Sequence, residues 1–388
     1  MPAPVSSFRS GIYRNLFQEY LGKSDAVVQA KLEAAWQQLF YGDNDSQRFY
    51  YPVGVDMAYI EDIGNGDVRT EGMSYGMMIA VQLEKKPEFD HLWKWAKTYM
   101  YQTGGPYKGY FAWHCSTDGN QIDANPASDG EEWFVMSLFF AAARWGNGDG
   151  IFNYQAQAQE VLNTMLHKGD ETGSITFDMF SPHFKQVVFV PIDMAGFTDP
   201  SYHLPFFYEL WGRWATQDNQ FWFDAEKTSR EFYKTAANPQ TGLMPNYANF
   251  DGTPHVSNGN ENFEGDAWRA VAYPALDYAW FGADPWEVEQ SNRVLTFLAS
   301  KGVHSFVGFY TLDGKPLVTY HSTGLVAMAA VAALAADPKI GKPFVQEFWN
   351  TPIPTDDWRY YDGLLYILGL LEASGNFRIY APATVGPQ

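Results

Sequence analysis

Cysteine is nearly absent from this chain: Cys115 is the only one in 388 residues, so no internal disulfide can form. It stands beside His114, but neighbours in sequence do not make a catalytic dyad. Basic residues are also few. Lys and Arg number 26 against 45 Asp and Glu, a formal net charge of −19. Nucleic acid and anionic membrane both reward clustered Lys and Arg, so this balance argues against either as a partner. The eight histidines are scattered, with no H-E-x-x-H pair and no Cys/His spacing, which argues against a catalytic metal. No glycine-rich phosphate loop is present, and nothing calls for a cofactor. No apolar run is long enough to span a bilayer. Met1 to Arg9 lack the basic start and apolar run of a signal peptide, so the sequence as it stands reads as cytoplasmic. No Pro- or Ser-rich linker divides the chain, which reads as one domain over residues 1–388.

What the chain has in quantity is hydrophobic and aromatic surface. Hydrophobic residues make up 46%, enough for a sizeable core, and Phe, Trp and Tyr together 17%. Most of those rings belong in the core. A minority of the 14 Trp and 24 Tyr are expected to line a cleft, where flat rings stack on the apolar faces of sugars. Neutral substrates of that kind suit an acidic protein.

Helical periodicity dominates. Asp25 to Phe40 puts Val28, Leu32, Ala35, Trp36 and Leu39 on one face. Ser128 and Glu131 read as a capping box ahead of Trp133 to Trp145. Further helical runs are Tyr154 to His167, Tyr208 to Thr216, Phe221 to Ala237, Asp266 to Trp280, Pro285 to Ser300, Ser322 to Ala336 and Trp358 to Ser374. Strand-like pieces are few, the clearest being Gln186 to Val190. The rhythm of helix, short turn, helix, long loop predicts an all-α ring of helical hairpins. Chemistry would then sit on loops over a rigid scaffold.

Three acidic stretches repeat one pattern. Glu71 precedes a run rich in Gly, Met and aromatic residues, in Thr70-Glu71-Gly72-Met73-Ser74-Tyr75-Gly76. Asp129 sits in Ser128-Asp129-Gly130-Glu131-Glu132-Trp133, and Asp266 in Phe263-Glu264-Gly265-Asp266-Ala267-Trp268-Arg269. Acids among aromatic rings at loop-to-helix junctions are what sugar cleavage needs: one carboxyl protonates the leaving oxygen and another activates water. Glu71 reads as the general acid, provided burial or a second carboxylate outweighs the acidifying helix N-terminus. Asp266 reads as the general base, with Arg269 three residues on to keep it ionised. The plainer alternatives are a helix-start acid for Glu71 and a cap tied to Arg269 for Asp266. Gly72-Met73-Ser74-Tyr75-Gly76 also fits the G-x-S-x-G elbow of serine hydrolases. That motif needs a preceding strand, and Asp67 to Glu71 makes a poor buried one.

The acidic stretches, with Phe111-Ala112-Trp113-His114 between them, resemble glycoside hydrolase family 8, from the N-terminal helices to Tyr360-Tyr361-Asp362-Gly363-Leu364-Leu365. Within that family, Thr319-Tyr320-His321-Ser322-Thr323-Gly324-Leu325 is most similar to the reducing-end xylose-releasing exo-oligoxylanases. The resemblance implies an (α/α)6 barrel with its cleft in the loops at one end. It also implies an inverting mechanism on xylo-oligosaccharides, with no obligatory oligomer.

The resemblance extends to single residues. Asp129 matches a central aspartate that grips sugar hydroxyls and raises the pKa of Glu71. Tyr202, in Asp199-Pro200-Ser201-Tyr202-His203, matches a tyrosine near the catalytic water. Trp113 matches a stacking platform, and Tyr360 is a weaker candidate of the same kind. Arg269 counts with the binding residues. His321 would close one end of the cleft and bond the terminal sugar. Two rival readings stand: an endo-acting family 8 enzyme on xylan, β-glucan or chitosan, and a non-catalytic oligosaccharide-binding protein.

Overall fold

A computed structural model describes residues 6–170, 177–192 and 196–382. Fourteen α-helices run through them: α1 Ser7–Ser10, α2 Leu16–Leu21, α3 Asp25–Tyr41, α4 Thr70–Gln82, α5 Lys86–Trp95, α6 Ser128–Trp145, α7 Tyr154–His167, α8 Pro205–Trp214, α9 Asn219–Ala236, α10 Ala267–Phe281, α11 Trp286–Ser300, α12 Thr323–Ala332, α13 Pro338–Asn350 and α14 Arg359–Ala373. From α3 onward they build two concentric rings, the (α/α)6 barrel. The inner ring is α4, α6, α8, α10, α12 and α14. Each inner helix is backed by an outer partner: α5, α7, α9, α11, α13 and α3 in turn. The ring closes where α14 packs on α4. Between α6 and α8 the contact is aromatic, with Trp133 edge-on to Phe207 at 5.1 Å and Phe139 to Trp214 at 5.7 Å. Edge-on pairs of this kind add about 0.5–1.5 kcal/mol each beyond the area they bury.

Burial explains why the two rings differ in sequence. α3 is capped by Ser24, whose side chain accepts the Val27 N–H, and it buries the expected stripe of Val28, Leu32, Ala35, Trp36 and Leu39. Inner helices have neighbours on every side. α12 is buried from Gly324 to Ala332, and α4 at every residue except Glu71. Their lack of amphipathic pattern is thus a consequence of position.

Several local expectations change. Ser128 and Glu131 do not form a capping box: α6 starts at Ser128 with no side-chain cap, and Glu131 instead accepts the Phe111 N–H at 3.0 Å. Gln186 to Val190 makes only an isolated bridge at Val187. Conversely, Asp67–Arg69 is a strand, β3 of five short ones among the described residues. It pairs antiparallel with β4 (His114–Ser116), which pairs with β5 (Gln121–Asp123). β1 (Tyr50–Val53) and β2 (Met57–Ile60) form a separate hairpin. β3 runs straight into α4, yet no nucleophile elbow results. Ser74 lies a turn inside the helix, fully buried, and its hydroxyl donates to the Glu71 carbonyl at 3.0 Å. Two helices beyond the runs read from periodicity, α5 and α13, begin with a proline in the first turn.

Candidate active site

The first turns of α4, α6 and α10 converge at one end of the barrel, and each brings a carboxylate. Glu71 is the second residue of α4, Asp129 the second of α6, and Asp266 the residue before α10. The approach is tight. A Cβ on Gly130 would lie 2.4 Å from the Thr70 side chain, so only glycine lets the starts of α4 and α6 meet.

One buried guanidinium joins the three acids. Arg269, 1% exposed, donates from Nη1 to Glu71 Oε2 at 3.1 Å and to Asp129 Oδ2 at 3.4 Å. Its Nη2 lies 3.4 Å from Asp266 Oδ1 and donates to the Ser201 hydroxyl at 2.8 Å. Nη1 also meets the Tyr75 hydroxyl at 2.6 Å. Arg269 is therefore occupied with the carboxylates from beneath and has no exposed face for a sugar, which corrects its grouping with the binding residues.

Glu71 is pushed up to about 7. Burial is the main cause; the charges of Asp129 and Asp266 add to it, while Arg269 and a hydrogen bond from Tyr360 oppose it. Burial thus outweighs the helix N-terminus. Asp129 is raised too, again chiefly by burial, against Arg269. Asp266 differs in access: its side chain is 36% exposed, against 17% for Glu71 and 8% for Asp129.

The acids open into a groove. One segment, about 500 Å³, is lined by Glu71, Asp129, Asp266, Trp113, Tyr202 and Tyr247, among others. A second, about 250 Å³, shares Arg69, Glu71 and Asp266 with it and adds Trp358, Tyr360 and Tyr361. A third, about 610 Å³, continues from Gly265, Trp358 and Tyr361 past Trp268 and Tyr320 to His321. Every candidate but Arg269 therefore borders one continuous groove.

Their postures differ. Trp113 is half-buried, with its Nε1–H on Asp123 Oδ2 at 2.9 Å and the Arg69 guanidinium 5.6 Å from its ring. Tyr202 is 6% exposed and stacks on Phe189 at 5.6 Å. Tyr360 is no stacking platform: it is 3% exposed and its hydroxyl donates to Glu71 Oε1 at 3.0 Å. Its ring explains Gly72, where a Cβ would come within 2.5 Å. His321 lines the far segment, with Nδ1 on the Phe306 carbonyl at 2.5 Å. A carbonyl only accepts, so Nδ1 carries the hydrogen. Its Nε2 faces the Glu347 carboxylate, 3.9 Å from Oε1. Cys115 and His114 stay apart in function: burial pushes the thiol up to about 12, and His114 Nε2 pairs with Asp67 at 2.9 Å.

Sequence reading missed Asp199, Ser201, Trp358 and Tyr361. The first two share a short loop with Tyr202, and only folding places that loop under Arg269.

This geometry agrees with what the chain is similar to. It is 47% identical to the reducing-end xylose-releasing exo-oligoxylanase Rex8A of Paenibacillus barcinonensis, over 96% of this chain and 98% of that protein. A structure of Rex8A complexed with xylose superposes with a TM-score of 0.93, covering 97% of this chain and 100% of that one. A catalytic mutant of a xylanase from Teredinibacter turnerae, in complex with xylohexaose, is 46% identical, with a TM-score of 0.92 and coverage of 97% and 100%. The model of the Glycosyl hydrolases family 8 matches residues 9–375. The chain belongs to glycosyl hydrolase family 8.

Proposed function

We propose that the protein releases xylose from the reducing end of β-1,4-xylo-oligosaccharides, with Glu71 as general acid and Asp266 as general base. Family 8 enzymes are inverting glycoside hydrolases. The observation that carries the residue roles is the asymmetry around Arg269. One carboxyl is buried and raised to about 7, so it holds a proton near neutrality. Another, 36% exposed, faces the groove where water has access.

Glu71 passes its proton to the glycosidic oxygen as the C1–O bond breaks. Water attacks C1 from the opposite face and gives its proton to Asp266. Both carboxyls then return to their starting states by exchange with solvent. Tyr202 orients the water, Asp129 holds a sugar hydroxyl at the cleavage position, and Trp113 stacks on a neighbouring ring. Tyr360 and Arg269 hold the two Glu71 oxygens, fixing the acid's direction.

Product analysis tests this reading. Xylotriose labelled at its reducing end should yield labelled xylose and unlabelled xylobiose. Proton NMR of fresh product should show the α-anomer first at the new reducing end of xylobiose. Inversion also requires the two carboxyls to stand about 6.5–9.5 Å apart, leaving room for water. An initial β-signal would remove Asp266 from its role.

The endo mode is the second reading, supported by the nearly equal similarity to the xylanase and by the third groove segment beyond Trp358. Early products from xylohexaose separate the two: xylose plus xylopentaose for the exo mode, a mixture for the endo mode. His321 bears on the same choice. From the far groove segment its ring hydrogen-bonds a terminal hydroxyl, which an internal linkage lacks. His321→Ala should then lower the rate on xylotriose and narrow its advantage over the corresponding alditol. An unchanged ratio of the two rates would clear His321 of this role.

A further inference from the structure

A fourth carboxyl group lies behind the groove floor. Asp199 is fully buried just before the 3₁₀ turn Pro200–Tyr202. Its Oδ1 accepts the Ser201 N–H at 2.7 Å. The Ser201 hydroxyl in turn accepts from Arg269 Nη2, so Asp199 is linked through this one residue to the guanidinium that gathers Glu71, Asp129 and Asp266. The turn is clamped on both sides. Thr198 exchanges backbone hydrogen bonds with Ala248 at 2.8 and 2.9 Å, and the Tyr208 hydroxyl donates to the Tyr202 carbonyl at 3.0 Å. Oδ2 of Asp199 is buried without a partner among the described residues. An ionised carboxylate left in that state is heavily penalised, whereas a protonated acid is not.

We propose that Asp199 is a positioning residue for hydrolysis, fixing the turn that presents Tyr202 to the groove and Ser201 to Arg269. It acts as a neutral acid. The titratable groups facing it are Asp266 just before α10, Arg269 on α10, Tyr202 in its own turn, and Tyr247. Burial raises its pKa well above the usual carboxylate range, and the Asp266 charge adds to this. Neutrality matters because Arg269 already serves three acids. A charged fourth would crowd the site with negative charge beside Asp266.

The inference rests on the roles given to Asp266 and Tyr202, which the anomeric assay above tests separately. Asp199→Ala and Asp199→Asn should be compared on xylotriose, after circular dichroism shows that both fold. Asp199→Ala should lower kcat by about 10²-fold, the scale of a small misplacement of reacting groups, with KM little changed. Asn keeps the acceptor for the Ser201 N–H and carries no charge, so it should recover most of that loss. It should also leave the pH profile where it is. A folded Asp199→Ala enzyme with normal kcat would overturn the positioning role. A displaced pH profile in Asp199→Asn would overturn the neutral state, since only loss of a real charge moves its neighbours.

Discussion

Glu71→Ala should lower turnover of xylotriose by roughly 10²-fold or more while leaving oligosaccharide affinity nearly intact. The substitution deletes a proton donor and no stacking surface. The pH dependence gives the sharper test. Glu71 works only when protonated, and it is raised to about 7, chiefly by burial. The unmutated enzyme should therefore lose activity as pH rises through about 7, by about tenfold per unit beyond it. The residual activity of the variant should lack that limb. A limb that survives in Glu71→Ala would belong to another group, and Glu71 would no longer be the acid.

Arg269→Met should do more than slow the reaction. The guanidinium is 1% exposed and contacts Glu71, Asp129 and Asp266 together. Removing one partner of a buried ionic network leaves the others uncompensated, at a cost of about 3–5 kcal/mol. Thermal unfolding should show a clear drop, and kcat should fall by about 10²-fold or more as three side chains lose their common anchor. The sign of the pH effect is fixed. Arg269 is the strongest influence lowering Glu71, so without it Glu71 keeps its proton to higher pH, and the alkaline limb of any residual activity moves above about 7. Arg269→Lys keeps one charge but loses the fork that reaches two sides at once, so it should rescue stability more than rate. A variant as stable and active as the parent would show that the acids do not depend on this hub.

Much of this was legible in the chain because it is local. A carboxylate one residue into a helix, next to a glycine, is a statement about adjacent positions. Glu71, Asp129 and Asp266 could be read that way, and all three lie at first turns. The outer helix α3 was equally readable, since one buried face leaves a period in the sequence. Inner helices such as α4 and α12 are buried all round and carry no such period. Short strands like β3 were missed because three residues are too few to show alternation, and their pairing with β4 is set by residues over forty positions away.

The order of residues along the chain set the chemistry on offer: acids at helix starts, many rings, no thiol pair and little basic surface. It could also fix Arg269 near Asp266, because three residues on a helix share a face. Which other acids that guanidinium would meet was a matter of tertiary structure alone. Glu71 is 198 positions from Arg269, and Tyr360 is 289 from Glu71. The same holds for the proton on Glu71, since its pKa is set first by burial, which no stretch of neighbours specifies. Hydrogen bonds and desolvation act over a few ångströms of space, whatever the distance along the chain. The site's residues were therefore written in the sequence, and their partners and charge states only in the fold.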